Sequence, residues 1–441
     1  MATGDGDTAA VAGGKPVLRR QACNILVRGR EADGEQSEGG GERAWCLHIR
    51  LRWIRCAGLD VKRSLFGAHG TTAECLAAAI GLTLPLQARA YDSVPPAFPC
   101  QQGWLGGDCA YSIPLNASNR VLWLFGDTYV RNDLVRSRAG AAMVANTIAI
   151  RTSDGTKQTI NYYWQNQAAS APDAFFSPGT NAWRYWPEDG FVANGKLYVC
   201  LSRIQTTGSG AFGFQGIGVD LAVVNNPQDS PPDWRVGYAQ LSSSTSIFPG
   251  VSTVVDGDYA YLYAVRDDAA HKLNRPIYLA RIPLKALDST AAASLEYLAT
   301  GDLWKPGPIG KDARSVMNKG VTEMTVRWHP DCQQWVAVSI SNEFPAHHIW
   351  RRLAPGLAGP WSAPVSIYSI PEYARSNPGY GRERFFYAGK EHIEFLNPTN
   401  GSCLMTYVGN SLSAQDVQSD LNLYVPKAVP LMMNPGSGGG R

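Results

Sequence analysis

VLWLFGD (121–127), KLYVCLS (196–202), YAYLYAV (259–265), QWVAVSI (334–340) and SCLMTYV (402–408) are five versions of one apolar strand. Each holds the same place in a longer unit. A polar or small residue opens the unit and leads into a first apolar strand. A turn follows, such as Asn194-Gly195, Asp256-Gly257 or Pro330-Asp331. Then comes the Tyr- or Trp-containing segment quoted above, and after it a third strand that often ends in a residue-Pro-Leu or Trp-Ser-x-Pro step. The units begin near Asp108, Asp189, Phe248, Glu323 and His392. From about residue 100 onward, helical periodicity is nearly absent and turn residues break the chain into short strands. A loose repeat of this length and strand content reads as propeller blades. Two stacked sandwiches would not need matching second strands. The expectation is an all-β, single-domain, five-bladed propeller.

The first unit also carries chemistry. GWLGGD (103–108) and LWLFGD (122–127) fall on the two arms of one hairpin, with its turn at Asn116–Asn119. Centring that turn between Ala117 and Ser118 sets Asp108 opposite Asp127. Directly opposed residues have Cβ atoms about 4.5–5.5 Å apart, and like charges so placed repel. Two carboxylates that close drive their pKa values apart, which lets an acid and a base coexist at neutral pH. This is the arrangement glycosidases use. The alternative is a bulge at Gly126, with the two side chains pointing apart as ordinary strand-end carboxylates.

In a propeller the first strand of each blade lines the central channel. The residues there are Asp108, then Glu188 and Asp189, then a neutral unit at Ser246–Phe248, then Glu323, then Tyr387, Lys390 and His392. Carboxylates mixed with Lys and His suit sugar hydroxyls and glycosidic cleavage. Strand alternation lets only one of Glu188 and Asp189 face the channel, and Asp189 is favoured because it directly precedes Gly190. Trp104, Trp183, Tyr185 and Trp186 flank the expected mouth, where aromatic faces would pack on sugar C–H surfaces or simply on blade edges. Trp104, Trp186 and Tyr387 are the expected sugar-stacking rings. His347-His348 is not a metal pair, since adjacent strand residues point to opposite faces. Gly208–Gly218 lacks a Lys-Ser/Thr step and reads as a long flexible rim loop rather than a phosphate loop.

Charge and cysteine usage bound the partners. The chain carries +3, but 12 of its 40 Lys+Arg and 9 of its 37 Asp+Glu lie in 1–90, so 91–441 is neutral. A neutral domain argues against a polyanion, hence against nucleic acid. Residues 1–60 show no sustained apolar period and read as a disordered or upstream extension. Lys62-Arg63, the apolar CLAAAIGLTLPL (75–86) and Ala88-Arg89-Ala90 outline a signal peptide at 61–90, with a mature start near Tyr91. The apolar run is too short to span a bilayer. The propeller would occupy 91–432 and a disordered Gly/Ser-rich tail 433–441. Five cysteines remain in the mature part, without C-x-x-C spacing. A Cys100–Cys109 bridge is open to an oxidising compartment. No metal and no cofactor are expected, although a structural cation in the channel stays open.

GGDCAYSIPL (106–115) followed by VLWLFGDTYV (121–130) resembles the first-blade motif of a five-bladed-propeller family called domain of unknown function 4185. That family includes endo-D-arabinanases. EMTVRWHP (323–330) and YAGKEH (387–392) resemble its later-blade motifs, and the likeness covers roughly residues 100–430. The resemblance implies that Asp108 and Asp127 are the catalytic pair. One departure concerns His392, which is followed by Ile393-Glu394 where the family pattern has Pro. The expectation is a secreted or periplasmic, monomeric glycoside hydrolase acting on arabinofuranosyl linkages of a polysaccharide or oligosaccharide. Glu188, Asp189, Glu323, Lys390 and His392 would support Asp108 and Asp127. The alternative is a glycan-binding propeller without catalysis.

Overall fold

The computed structural model describes residues 96–432, apart from 116–118, 134, 155–156, 168–170, 210–211, 289–290 and 398. The expected extension at 1–60, the signal peptide at 61–90 with its junction at Tyr91, and the tail at 433–441 lie outside the described residues.

Five antiparallel sheets follow one another along the chain. The first holds β1 (Trp104–Pro114), β2 (Arg120–Val130), β3 (Ala142–Val144), β4 (Thr147–Ser153) and β5 (Gln158–Tyr163). The second holds β6 (Arg184–Ala193), β7 (Lys196–Thr206), β8 (Phe214–Val224) and β9 (Val236–Ser242). The third holds β10 (Ile247–Asp256), β11 (Tyr259–Arg266), β12 (Arg275–Pro283), β13 (Glu296–Ala299), β14 (Leu303–Pro306) and β15 (Ser315–Gly320). The fourth holds β16 (Met324–His329), β17 (Gln334–Ile340), β18 (His348–Ala354) and β19 (Val365–Ser369). The fifth holds β20 (Arg384–His392), β21 (Ser402–Ser411) and β22 (Lys427–Met432), with a six-residue helix, α1 (Ala414–Ser419), between the last two. The five quoted segments fall in β2, β7, β11, β17 and β21, the second strand of every blade. Such strands are covered on both faces by neighbouring blades, which is why they read as continuous apolar runs.

The first strands form the inner ring. β1 touches β6, β6 touches β10, β10 touches β16, β16 touches β20, and β20 returns to β1. This is a five-bladed propeller. No strand from the start of the described chain completes the fifth sheet. Side chains close the ring instead. Arg138, between β2 and β3, is buried at the seam. Its guanidinium donates to Leu105 O on the first blade and to Val417 O (2.7 Å), Asp420 O (2.9 Å) and Leu423 O (2.6 Å) on the fifth. Phe395 of the fifth blade packs on Trp123 of the first.

The unit expected to begin near His392 is placed differently. His392 ends β20 instead of opening a strand at 392–396. Lys390, Glu391 and His392 read as polar and mask that strand, yet all three are fully buried.

The hairpin of β1 and β2 keeps the expected register on either side of the acids, with Gly107 opposite Thr128 and Tyr111 opposite Leu124, and slips by one at its outer end, where Trp104 faces Val130. Between these pairs two irregularities compensate. Cys109 pairs with Phe125, so β2 has an extra residue around Gly126–Asp127 and β1 then has one at Ala110. Asp108 and Asp127 sit in this bulged stretch and are not a regular cross-strand pair. Cys109 (φ 71°) and Ala110 (φ 64°) are left-handed without being glycine, which costs of order 1 kcal/mol or more each. The same device recurs at this level of the ring. β6 is irregular between Pro187 and Gly190, β10 between Pro249 and Ser252, and β20 between Tyr387 and Lys390. Bulges re-aim side chains. Here they break the alternation that would have sent one of Glu188 and Asp189 outward.

Candidate active site

The bulges gather carboxylates from three blades. Asp108 accepts hydrogen bonds at one oxygen from Tyr387 (2.8 Å) and Tyr424 (3.1 Å), both in the fifth blade. Its other oxygen lies over Gly126, where an added Cβ would come within 2.4 Å of it. Only glycine leaves room for this carboxylate beside Asp127. Asp127 accepts from the Trp186 indole N–H (2.8 Å) and lies 3.9 Å from the Arg184 guanidinium. Burial, then the charges of Asp127 and Glu323, push Asp108 up to about 8 against the two tyrosine hydrogen bonds. Burial also raises Asp127, opposed by the Trp186 hydrogen bond and by Arg184. Its surroundings thus drive Asp108 toward its protonated form, while Asp127 has the partners that favour a charge.

Glu188 accepts from Ser202 (2.9 Å) through one oxygen; among the described residues its other oxygen is buried without a partner. Burial and the neighbouring Glu323 raise its pKa to about 8. Glu323, just before β16, forms an ion pair with Lys390. Lys390 also donates to Cys109 O (2.6 Å) and lies 4.4 Å from the Tyr111 ring centre. Burial is the strongest single influence and opposes its charge, but the charge and hydrogen bond of Glu323 together with Cys109 and Glu188 hold the ammonium above its ordinary pKa. One step further along β1, the Tyr111 hydroxyl donates to Val251 O (2.7 Å) of the third blade and accepts from Met324 N of the fourth. That side chain plugs the channel behind the acids.

The structure thus brings together Asp108, Asp127, Glu188, Glu323, Tyr387, Lys390 and Trp186. Asp189 belongs to the inner ring but is fully buried and saturated. It accepts two hydrogen bonds from Arg327 (2.9 and 3.0 Å) and one from Thr253 N (2.8 Å). Its neighbour Glu188 is the member of the pair that joins the acid cluster. His392 is locked between Ser112 (2.6 Å) and Thr406 (2.8 Å) with its ring against Trp123, and burial keeps it neutral, well below its ordinary pKa. It acts as a blade-packing residue. Trp104 is fully buried, stacked on Tyr162 at 4.3 Å, and cannot face a sugar. Tyr185 is buried and bound to Asp220. His347 packs on Tyr373 and His348 bonds Ser369, so they do not converge. Tyr424 went unread in the sequence because it sits in a turn, at φ 59°, and reaches Asp108 only through ring closure.

Cys100 and Cys109 are free thiols; Cys109 donates to Pro187 O (3.3 Å), so the bridge considered from the sequence does not form. Among the described residues no group of three or more His, Cys, Asp or Glu could hold a metal ion, and no helix is long and apolar enough to cross a membrane. A cavity of about 520 Å³ opens at the seam of the first and fifth blades, lined by Phe98, Cys100, Arg136, Leu421 and Lys427. It holds no carboxylate and lacks the chemistry of the acid cluster.

The fold and these residues define a β-propeller with an acid cluster at its inner ring. The chain belongs to the family described as "Domain of unknown function (DUF5005)", whose profile matches residues 95–427. The narrower likeness of the first-blade motif to domain of unknown function 4185 remains a resemblance beside this match. Among curated proteins no relative matches. The chain is similar in structure to a Bacteroides ovatus ATCC 8483 protein provisionally described as a hydrolase, at 15% identity and a TM-score of 0.60, over 76% of this chain and 87% of that one. It also aligns with an α-L-arabinofuranosidase from Lactobacillus brevis, at 13% identity and a TM-score of 0.40, over 79% and 95% of the two chains. A family-43 β-xylosidase/α-arabinofuranosidase from a compost metagenome aligns at 12% identity and a TM-score of 0.43, over 78% and 96%. At these identities the likeness is one of fold.

Proposed function

We propose that the protein is a secreted or periplasmic glycoside hydrolase that cleaves arabinofuranosyl linkages inside a polysaccharide, in the manner of an endo-D-arabinanase. One observation carries this reading: two half-buried carboxylates lie together in a bulged hairpin, one driven toward its protonated form by its surroundings and by like charge, the other served by cationic and N–H partners. In this reading Asp108 gives its proton to the glycosidic oxygen as the bond breaks. Asp127 attacks the anomeric carbon or activates a water. Glu188 offers its unpartnered oxygen to a sugar hydroxyl, and the Glu323–Lys390 pair fixes the local field. The choice of arabinan rests on the first-blade motif, GGDCAYSIPL with VLWLFGDTYV.

Incubating the protein with D-arabinan, L-arabinan, arabinoxylan and galactan, followed by sizing of the products, tests the proposal. Short oligosaccharides released from D-arabinan are expected. Retention of a glycan without any new reducing ends would sink catalysis in favour of binding alone.

A further inference from the structure

Two aromatic side chains outside the acid cluster stand together on the surface, over a third, Phe385, that is buried. Phe212 and Phe344 are 62% and 64% exposed, unusually high for large apolar residues placed side by side. Their ring centres lie 5.9 Å apart, and both lie near Phe385, at 6.4 and 5.2 Å. They come from different blades. Phe212 is at the tip of the β7–β8 hairpin in the second blade, Phe344 follows β17 in the fourth, and Phe385 is on β20 in the fifth. The expected loop at 208–218 is in fact mostly hairpin, since β7 and β8 pair out to Thr206 opposite Phe214. Thr207 N and Gly208 N both donate to Gly213 O, closing the tip.

The cluster is continuous with the acids on both sides. Phe385 stacks on Tyr387 at 5.7 Å and 27°, and the Tyr387 hydroxyl donates to Asp108. On the other side Phe214, two residues beyond Phe212, packs at 4.5 Å on Trp186, whose indole donates to Asp127. One hairpin therefore touches the companion of Asp127 directly and that of Asp108 through Phe385. The rings Trp186, Phe214, Phe212, Phe344, Phe385 and Tyr387 form an arc around the acid pair, with polar atoms of Arg184, Tyr387 and Asn410 beside it.

We infer that this arc is a collar that grips a sugar ring of the glycan chain next to the one being cleaved, with one of the rings of Phe212 and Phe344 under the sugar's C–H face and the other, set at 88° to it, closing on the sugar's edge. An apolar protein segment would need a broad apolar surface. A sugar needs what is present: aromatic faces for its C–H groups and polar atoms at their edge for its hydroxyls. The inference rests on the glycan reading of the acid pair.

The test uses the full chain carrying Asp127→Asn, so that binding is read without turnover. Affinity electrophoresis is run in gels containing D-arabinan, L-arabinan, arabinoxylan or galactan. At least one glycan should retard the protein. Adding Phe212→Leu or Phe344→Leu, which keeps apolarity but removes the flat face, should weaken that binding about tenfold each. Phe344→Trp should preserve it, and melting temperatures should stay put because both rings are exposed. Undiminished binding by the Leu variants overturns the inference, as does absence of binding to every glycan, which would leave the patch to an apolar protein partner. Binding lost in the Leu variants, with a parent that cleaves none of the four glycans, supports the collar and removes the hydrolase reading alone.

Discussion

Asp108 and Asp189 both lie in bulged stretches of the inner strands of adjacent blades, and their surroundings are opposite. Asp189 has a bidentate Arg327, a backbone N–H from Thr253 and no exposure. A few residues away, His329 lies between Glu391 and Asp331, and those acids, working against burial, raise it to about 10. These groups cross-link blades and are electrically complete. Asp108 has only neutral hydroxyl donors and two acids as near neighbours. Glu188 has one serine and an orphan oxygen. A buried charge without a partner is expensive and is seldom kept for structure alone. The difference in company, rather than residue type, separates the groups that hold the ring from those offered to a ligand.

Four experiments bear on that contrast. Asp108→Asn and Asp127→Asn should each lower hydrolysis of the cleaved polysaccharide by roughly 10²–10⁴-fold, the scale of general acid–base catalysis. Melting temperature should be unchanged or higher, since the folded chain no longer has to keep a carboxyl with a raised pKa at that place. Stability lost with turnover retained per folded molecule would reverse the roles assigned here. Arg327→Met should do the converse. It strands Asp189 as a buried anion and should cost about 3–5 kcal/mol, read from urea midpoints. A midpoint close to the parent's would show that Asp189 was never dependent on its arginine.

The pH dependence of stability sharpens the comparison further. Asp108 and Glu188 hold protons in the folded state up to about 8, whereas carboxyls at their ordinary values of 3.8 and 4.5 release them. The folded chain therefore binds more protons than the unfolded one between pH about 4 and about 8, and stability falls as pH rises through that window. His329 adds a second fall in the same direction, from its ordinary 6.5 up to about 10. Melting temperatures across pH should show both, and Asp108→Asn should flatten only the lower window. A parent whose stability rises from pH 5 to 7 would contradict the unpaired state of the acids. The smallest effect belongs to Trp104→Phe, which removes a core hydrogen bond to Thr147 and should cost about 1 kcal/mol by the same urea titration. Glycan binding should not change; a loss would return Trp104 to the site.

Blade number was legible because each second strand is buried on both sides and must be apolar, as in VLWLFGD and SCLMTYV. The acid pair was legible because hairpin register is governed by the turn, and that register holds at Tyr111 and Gly107. What lay between was not. Bulges at Ala110 and around Glu188 depend on contacts between blades, which no local pattern records, so alternation wrongly set Glu188 against Asp189. Trp104 looked like a mouth residue because an aromatic beside glycines is the same whether it faces a ligand or Tyr162. Strand β20 was half-hidden, since Lys390 and His392 are buried through partners remote in sequence, Glu323, Ser112 and Thr406.

Because Arg138 and packed side chains, not a shared strand, join the two ends of the ring, the order of synthesis matters. Blades one to four can assemble as they emerge, since each contacts the one before it. Asp108 receives Tyr387 and Tyr424 only after the chain has traversed about 316 further residues, and the loop-closure entropy of that contact falls on the last step of folding. The acid's surroundings are thus completed by the same event that closes the circle. A chain stopped short of Tyr424 would carry every carboxylate of the cluster and still lack one of the two hydroxyls that Asp108 accepts from.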